Sequence, residues 1–179
     1  MLADLVRGYY EAKWGAPNRI ARFDAFGHTI EIYKWEPDAT GEEVTIYATN
    51  GASASRVLPG GHRVEFFVGF HPEFDGIAPA LSLLATYPLQ EGDLRPGDTV
   101  TMGDPLWAGA PASTFLIVPQ IEELLEPLLL PDASHVQFCE VLPISETELE
   151  IKRQRGAVWL LGDLNDRGIA TWEHQRAYL

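Results

Sequence analysis

The sequence predicts an α+β fold, in which a mixed, mostly antiparallel β-sheet packs with α-helices. Three stretches of strand-like composition follow one another, at residues 28–35, 43–49 and 63–70. A strongly apolar helical segment over residues 77–87 comes after them. Strands that are close in sequence pair through short turns, and helices that follow them pack on the sheet as a separate layer. This order of elements therefore indicates α+β layering.

Length and composition are those of a globular protein, and we expect residues 1–179 to form a single domain. Apolar residues make up 46% of the chain and charged residues 22%, which is typical of a packed core. The longest apolar runs fall short of the ~20 residues that a membrane-spanning helix needs, so we expect no membrane association. The single Cys139 and an N-terminus unlike a signal peptide favour a cytoplasmic location.

The N-terminal third begins with a helix and continues with two strands. Apolar residues recur with a period close to 3.6 over residues 1–14, which predicts an amphipathic helix. Alternating apolar residues predict the strands at 28–35 and 43–49. The intervening Pro- and Gly-containing segment, 37–41, is typical of a loop. A β-hairpin or meander is therefore expected here.

The middle of the chain continues with a third strand and a buried helix. Residues 63–70 alternate in the manner of a strand, and a Pro- and Gly-containing stretch precedes them. The helix at 77–87 is apolar on several sides. Pro79 suits its first turn, and Pro88 is expected to mark its end.

The C-terminal half contains further short elements and one strong helix signal. The expected short elements are strands at 99–102, 115–118 and 136–142, and a helix at 122–130. Ser145 and Glu148 have the spacing of a capping box, in which each residue bonds the backbone N–H of the other. Gly156 is expected to end that helix, and a last helix is predicted from 157 to about 165.

The formal net charge of −13 is concentrated in one part of the chain. Residues 91–150 hold twelve acidic side chains and one basic side chain, Arg95, which gives a net charge of −11. Such a field repels phosphates and attracts cationic partners, so we expect no direct nucleic-acid binding. A surface that only maintains solubility has the same composition. The candidate partner-binding acidic surface consists of Glu122, Glu123, Glu126, Asp132 and Glu146.

The sequence carries no complete catalytic, cofactor-binding or metal-binding motif. The stretch from Gly51 to Ser53 is similar to the front of a nucleophile elbow, but Ser55 stands where the second glycine belongs. Residues 56–61 leave no room for the helix that supplies an oxyanion hole. The five histidines lack metal-ligand spacing, and no phosphate-binding loop occurs. We therefore predict no catalytic residue, no cofactor and no metal. Gly51 is expected to permit a backbone bend, with Thr49 and Ser53 bonding nearby backbone groups.

Several short pieces occur in order along nearly the whole chain. They are KWGAP (13–17), IEIYKW (30–35), ATNGAS (48–53), RVEF (63–66), LLATYP (83–88), LRPGDTV (94–100), LPIS (142–145) and GAVWLL (156–161). Their order and spacing resemble the Suppressor of fused family, in its short bacterial stand-alone form. The resemblance implies a Suppressor of fused-like fold and a domain that binds other proteins without established catalysis.

The resemblance also implies a structural signature in two parts of the chain. Its residues are Thr49, Asn50, Gly51, Ser53, Pro143, Ser145 and Glu148. Asn50 and Ala52 depart from the Thr-Ser-Gly-Met-Ser segment that is usual in the family, which leaves their side-chain roles open.

The leading functional hypothesis is a non-catalytic cytoplasmic protein-binding module. Short members of the family are inferred to be immunity proteins, so the resemblance implies that this chain neutralises a cognate polymorphic toxin. Its partner is then another protein with a cationic toxin domain. Two alternatives stay open at this point: a small hydrolase or ligand-binding enzyme that uses Ser53 or a pocket histidine, and a scaffold or assembly subunit.

Overall fold

The computed structural model describes residues 1–54, 60–90, 92–119 and 124–179. The strands in these ranges are β1 (Arg19–Ala25), β2 (His28–Trp35), β3 (Thr45–Asn50), β4 (His62–Phe70), β5 (Thr99–Thr101), β6 (Ala112–Ile117), β7 (Leu128–Leu129) and β8 (His135–Ser145). The helices are α1 (Leu2–Trp14), α2 (Pro37–Thr40), α3 (Ala78–Gln90), α4 (Glu146–Arg155) and α5 (Ala157–Asp166).

The eight described strands form one mixed sheet. Its order is β1-β2-β3-β4-β8-β6-β5, and the short β7 pairs separately with β8. Strands β4 and β8 run parallel, and the other pairs run antiparallel. The predicted mixed, mostly antiparallel sheet with α-helices is therefore confirmed.

Helices cover both faces of this sheet. On one face, α3 packs on the central strands in the largest core cluster. On the other face, α1 packs on β2, β3 and β8, while α4 and α5 pack on β6 and the end of β8. Because side chains alternate along a strand, β8 contributes to all three clusters. Cys139 and Val141 join the α3 cluster, Val136 and Phe138 the α1 cluster, and Leu142 and Ile144 the α4–α5 cluster.

The structure confirms the helix predicted at 1–14 and the strand predicted at 28–35. It also contains the α4 capping box, with Glu148 N donating to Ser145 Oγ at 3.1 Å. The predicted end of the third helix is wrong, because α3 continues through Pro88 to Gln90. Proline has a helical φ angle, so it lacks only one hydrogen bond in this last turn.

Three other predictions need correction. Strand β1 was not predicted, although its Ala21 and Phe23 pack on the core while Ile20 and Asp24 are exposed. The predicted loop at 37–41 contains the single-turn helix α2. The predicted helix at 122–130 is wrong over its described part, because Leu128–Leu129 forms β7. Pro127 disfavours a helix there, and pairing with β8 provides backbone partners instead.

Candidate functional site

The first part of the signature lies at the exit of β3, where Gly51 turns the chain. Gly51 has φ 139°, and a Cβ atom there would lie 2.9 Å from the carbonyl oxygen of Thr29. Both the backbone angle and this close approach require glycine. A 3-10 turn at Ala52–Ala54 follows. Residues 55–59, including Ser55, lie outside the described ranges.

The turn is built around the carboxylate of Glu65, which β4 presents from inside the core. Glu65 is 0% exposed and accepts bonds from the hydroxyls of Thr49 (2.5 Å) and Ser53 (2.6 Å). The backbone N–H groups of Gly51, Ala52 and Ser53 donate to it at 3.0, 3.3 and 2.9 Å. Burial raises the pKa of Glu65, and these hydrogen bonds oppose the rise. We call Glu65 with its five donors the Glu65 cradle.

The Glu65 cradle revises the roles expected for Thr49 and Ser53. Thr49 does bond a backbone group, since its hydroxyl accepts from Phe66 N at 2.9 Å, but it also donates to Glu65. The Ser53 hydroxyl donates to Glu65 rather than to a backbone group, and Ser53 is 1% exposed. A substrate does not reach a hydroxyl in this position. Sequence reasoning missed Glu65 because a lone Glu between apolar strand residues gives no sign of its partners.

Asn50 connects the end of β3 to α1. Its Nδ2 donates to the hydroxyl of Tyr33 at 3.0 Å and to the carbonyl of Ala3 at 3.1 Å. Tyr33 in turn donates to Glu31, which also pairs with Arg7. Burial opposes ionisation of Glu31, but the bonds from Tyr33 and Arg7 outweigh it and lower the pKa. Asn50 therefore has a structural role in the polar network under α1.

The second part of the signature lies at the opposite end of the sheet, around a buried ion pair. Arg176 donates from both terminal nitrogens to Glu148, each at 2.7 Å, and the two side chains are 1% and 0% exposed. Arg176 also donates to the carbonyl of Pro143 at 3.1 Å, and Ser145 N donates to Glu148 at 3.0 Å. The pair attaches the C-terminal segment to the start of α4. Sequence reasoning missed Arg176.

The two parts of the signature do not form one site. The β3 strand runs antiparallel to β4, whereas β8 runs parallel to β4. The C-terminal ends of β3 and β8 therefore lie at opposite ends of the sheet along the strand direction. The signature residues hold two separate turns in place.

The described acidic residues also do not form one patch. Glu126 and Asp132 are exposed beside β7 and the start of β8, and Glu146 is exposed in the first turn of α4 at the far end of β8. Asp132 accepts bonds from both Ser134 N and Ser134 Oγ, which lower its pKa. Glu122 and Glu123 lie outside the described residues. The set therefore contains at least two distinct surfaces.

An apolar groove runs beside α3 on the other face of the sheet. Two neighbouring cavities of about 700 and 580 Å³ share Pro79 and Leu106 as lining residues. At one end, the rings of Phe74 and His174 stack at 3.9 Å, and Trp107 packs edge-on against Phe74. We define these two cavities and their lining residues as the α3 groove.

The other end of the α3 groove is lined by apolar side chains that are open to solvent. Phe26 is 68% exposed and Leu83 is 49% exposed. Phe26 also has φ 54°, a left-handed conformation that is unusual for a bulky residue. Among the described residues that line this end, Asp104 carries the single charge.

The described ranges show neither a metal cluster nor a membrane-spanning helix. No group of three or more His, Cys, Asp or Glu residues there is arranged to hold a metal ion. No helix in those ranges combines the length and apolar character needed to cross a bilayer. The Cys139 thiol is buried, and burial raises its pKa to about 12, which is the behaviour of an inert core thiol.

A helix-covered mixed sheet with exposed apolar side chains along one groove is an arrangement that suits protein binding. Residues 27–174 match the family model of Suppressor of fused protein (SUFU). The chain therefore belongs to the Suppressor of fused family, as the resemblance implied. No match was found among curated proteins.

Solved structures of this family share the fold. A SUFU (suppressor of fused protein) homolog from Neisseria gonorrhoeae FA 1090 matches with TM-score 0.69 and 21% identity, over 99% of this chain and 96% of that chain. The Sufu-Fu complex matches with TM-score 0.60 and 17% identity, over 91% and 82%. Drosophila Suppressor of Fused matches with TM-score 0.56 and 18% identity, over 76% and 38%. At these identities the likeness shows the fold.

Proposed function

We propose that the chain is a cytoplasmic immunity protein that binds and neutralises a cationic toxin domain, and that the α3 groove is its binding surface. The observation that carries this proposal is the exposed apolar end of the groove. Phe26 and Leu83 both line one cavity of the groove and expose large apolar side chains to water there. Contiguous exposed apolar surface of this kind marks sites of protein association.

Turn geometry and charge support the same surface. The left-handed φ of Phe26 belongs to the two-residue turn Phe26–Gly27 between β1 and β2, so the hairpin itself holds this ring exposed at the groove. The net charge of −13 and the exposed Asp104 favour encounter with a cationic partner, since complementary charge raises association rates. The alternative of a hydrolase that uses Ser53 is disfavoured because that hydroxyl is buried against Glu65.

The test is protection of cells from a toxin encoded beside the gene. The wild-type chain is expected to restore growth and to co-purify with the toxin domain at low salt. Leu83→Asp places a charge in the α3 groove and is expected to abolish both effects. Val158→Asp is the matched control, because Val158 is 69% exposed on α5, outside the groove lining.

Two results contradict the proposal. If no neighbouring gene encodes a toxin that the wild-type chain neutralises, the immunity role is wrong. If Leu83→Asp and Val158→Asp protect equally well, the groove is not the binding surface. A stable homo-oligomer in light scattering, without any captured toxin, would support the scaffold alternative instead.

A further inference from the structure

A cleft opens between the two helical layers that cover the α1 face of the sheet. Along β8, the side chains on this face are Val136 and Phe138 under α1, and Leu142 and Ile144 under α4 and α5. Glu140 lies between these two pairs, in the interval that neither layer covers. The charged residue of this otherwise apolar row therefore falls at the gap between the layers.

The cleft has the volume and walls to hold a side chain. Its volume is about 260 Å³, and Val44, Val118, Leu161 and Trp172 are among its lining residues. Gly69 on β4 also lines it, and a Cβ atom there would lie 2.5 Å from Val44 Cγ2. Glycine at this position therefore keeps the backbone of β4 close to Val44. We call this cavity the Glu140 cleft.

Glu140 has no partner that compensates its charge within the described ranges. Its carboxylate makes no ion pair there, and no side-chain hydrogen bond, although its backbone carbonyl accepts from Val118 N at 2.9 Å. The residue as a whole remains accessible to solvent, but partial burial of its carboxyl group in the cleft raises the pKa. A carboxylate with apolar neighbours gains more from a cationic partner than one surrounded by water.

The walls determine which cation fits. Trp172 lines the cleft and is 51% exposed, and aromatic rings attract cations within about 6 Å of the ring centre. The aliphatic residues suit the methylene stem of a long side chain. We infer that the Glu140 cleft receives one lysine or arginine side chain from a bound protein partner. This inference rests on the proposed function and adds a second, polar contact on the face opposite the α3 groove.

The test uses acetyl-arginine amide as the probe, followed by NMR of the full chain. Its binding is expected to shift the signals of Gly69, Glu140 and the Trp172 indole in a saturable manner. Acetyl-citrulline amide has the same shape without the charge, and is expected to bind about tenfold more weakly, because a tenfold change corresponds to about 1.4 kcal/mol. Glu140→Gln is expected to lower the affinity for the arginine probe by a similar factor. Glu150→Gln, at an exposed carboxylate on α4 that does not line the cleft, is expected to leave it unchanged.

The outcomes separate this inference from the proposed function. If the arginine and citrulline probes bind with equal affinity, or Glu150→Gln weakens binding of the arginine probe as much as Glu140→Gln does, the inference is wrong. If the cleft binds the probe but the wild-type chain protects against no toxin, the immunity role fails while the cleft stands. If the chain neutralises a toxin and Glu140→Gln changes neither probe nor toxin affinity, the proposed function stands without the cleft.

Discussion

Replacement of Arg176 by methionine tests whether the buried ion pair holds the C-terminal segment to the body of the protein. The change removes two hydrogen bonds of 2.7 Å and leaves the fully buried Glu148 carboxylate without a cation. Removing one partner of a buried pair costs about 3–5 kcal/mol, because the remaining charge is desolvated and uncompensated. Ser145 N and Leu179 N still donate to Glu148, so the lower part of this range is expected.

The loss is large compared with the stability of a typical domain, which is about 5–15 kcal/mol. Urea unfolding followed by tryptophan fluorescence measures this loss, and the melting temperature is expected to fall by about 6–12 °C. Arg167→Met is the matched control, since Arg167 pairs with Asp163 at 2.9 Å but is 55% exposed. An exposed pair of this kind contributes about 0.3–0.5 kcal/mol.

A double variant identifies the cause of the loss. Glu148→Gln removes the charge that Arg176→Met leaves uncompensated. In the Glu148→Gln background, Arg176→Met should therefore lower the free energy of unfolding by at least about 1 kcal/mol less than it does in the wild-type chain. The reasoning is refuted if Arg176→Met and Arg167→Met lower the free energy of unfolding equally. It is also refuted if the effect of Arg176→Met is unchanged in the Glu148→Gln background.

Three further predictions follow from the turn after β3 and from the core. Gly51→Ala should lower the free energy of unfolding in urea by about 2–4 kcal/mol, because of the φ angle of Gly51 and its close approach to Thr29. Gly162→Ala is the control: this glycine of α5 has open space around it, so the change should stabilise the protein or leave it unchanged. Burial raises the pKa of Glu65, so the stability that its protonated form contributes is present at low pH and is lost as pH rises above about 4.5. Glu65→Gln should therefore destabilise less at pH 8 than at pH 5; an equal or larger loss at pH 8 contradicts this. Cys139, with its pKa raised to about 12, should react with a thiol reagent at pH 8 at least about a hundredfold more slowly in the native chain than in urea, and equal rates would mean that it is not buried.

Local sequence patterns were sufficient for most helices and strands. The 3.6-residue period of residues 1–14 and the reciprocal spacing of Ser145 and Glu148 predicted α1 and the start of α4. Strand β2 begins and ends at the predicted residues. These features depend on neighbours within a few residues, so the sequence carries them directly. Strand β1 was not predicted, and the short β7 was predicted as part of a helix. Both strands lie beside a single neighbouring strand, and their formation depends on pairing with that neighbour more than on their own sequence.

The candidate site was predictable only in part. The sequence identified Gly51 as a bend and Ser145 with Glu148 as a cap, and both are present. Nothing in the sequence near Ser53 indicated that Glu65, twelve residues later, accepts a hydrogen bond from the Ser53 hydroxyl. The acidic set was grouped by position along the chain, but Asp132 and Glu146 are at opposite ends of β8. Charge density in sequence does not determine which side chains share a surface.

The sequence by itself determined the family, the class of fold and the residues that begin and end its main elements, because each of these depends on composition, periodicity or collinear motifs. Tertiary structure decided the parallel pairing of β4 with β8, the Glu148–Arg176 pair across 28 residues and the gap that leaves Glu140 exposed. Such contacts join residues far apart in the chain. These contacts depend on the order of the strands in the sheet and on how the helices pack side by side on one face of it. No local sequence pattern determines that order or that packing.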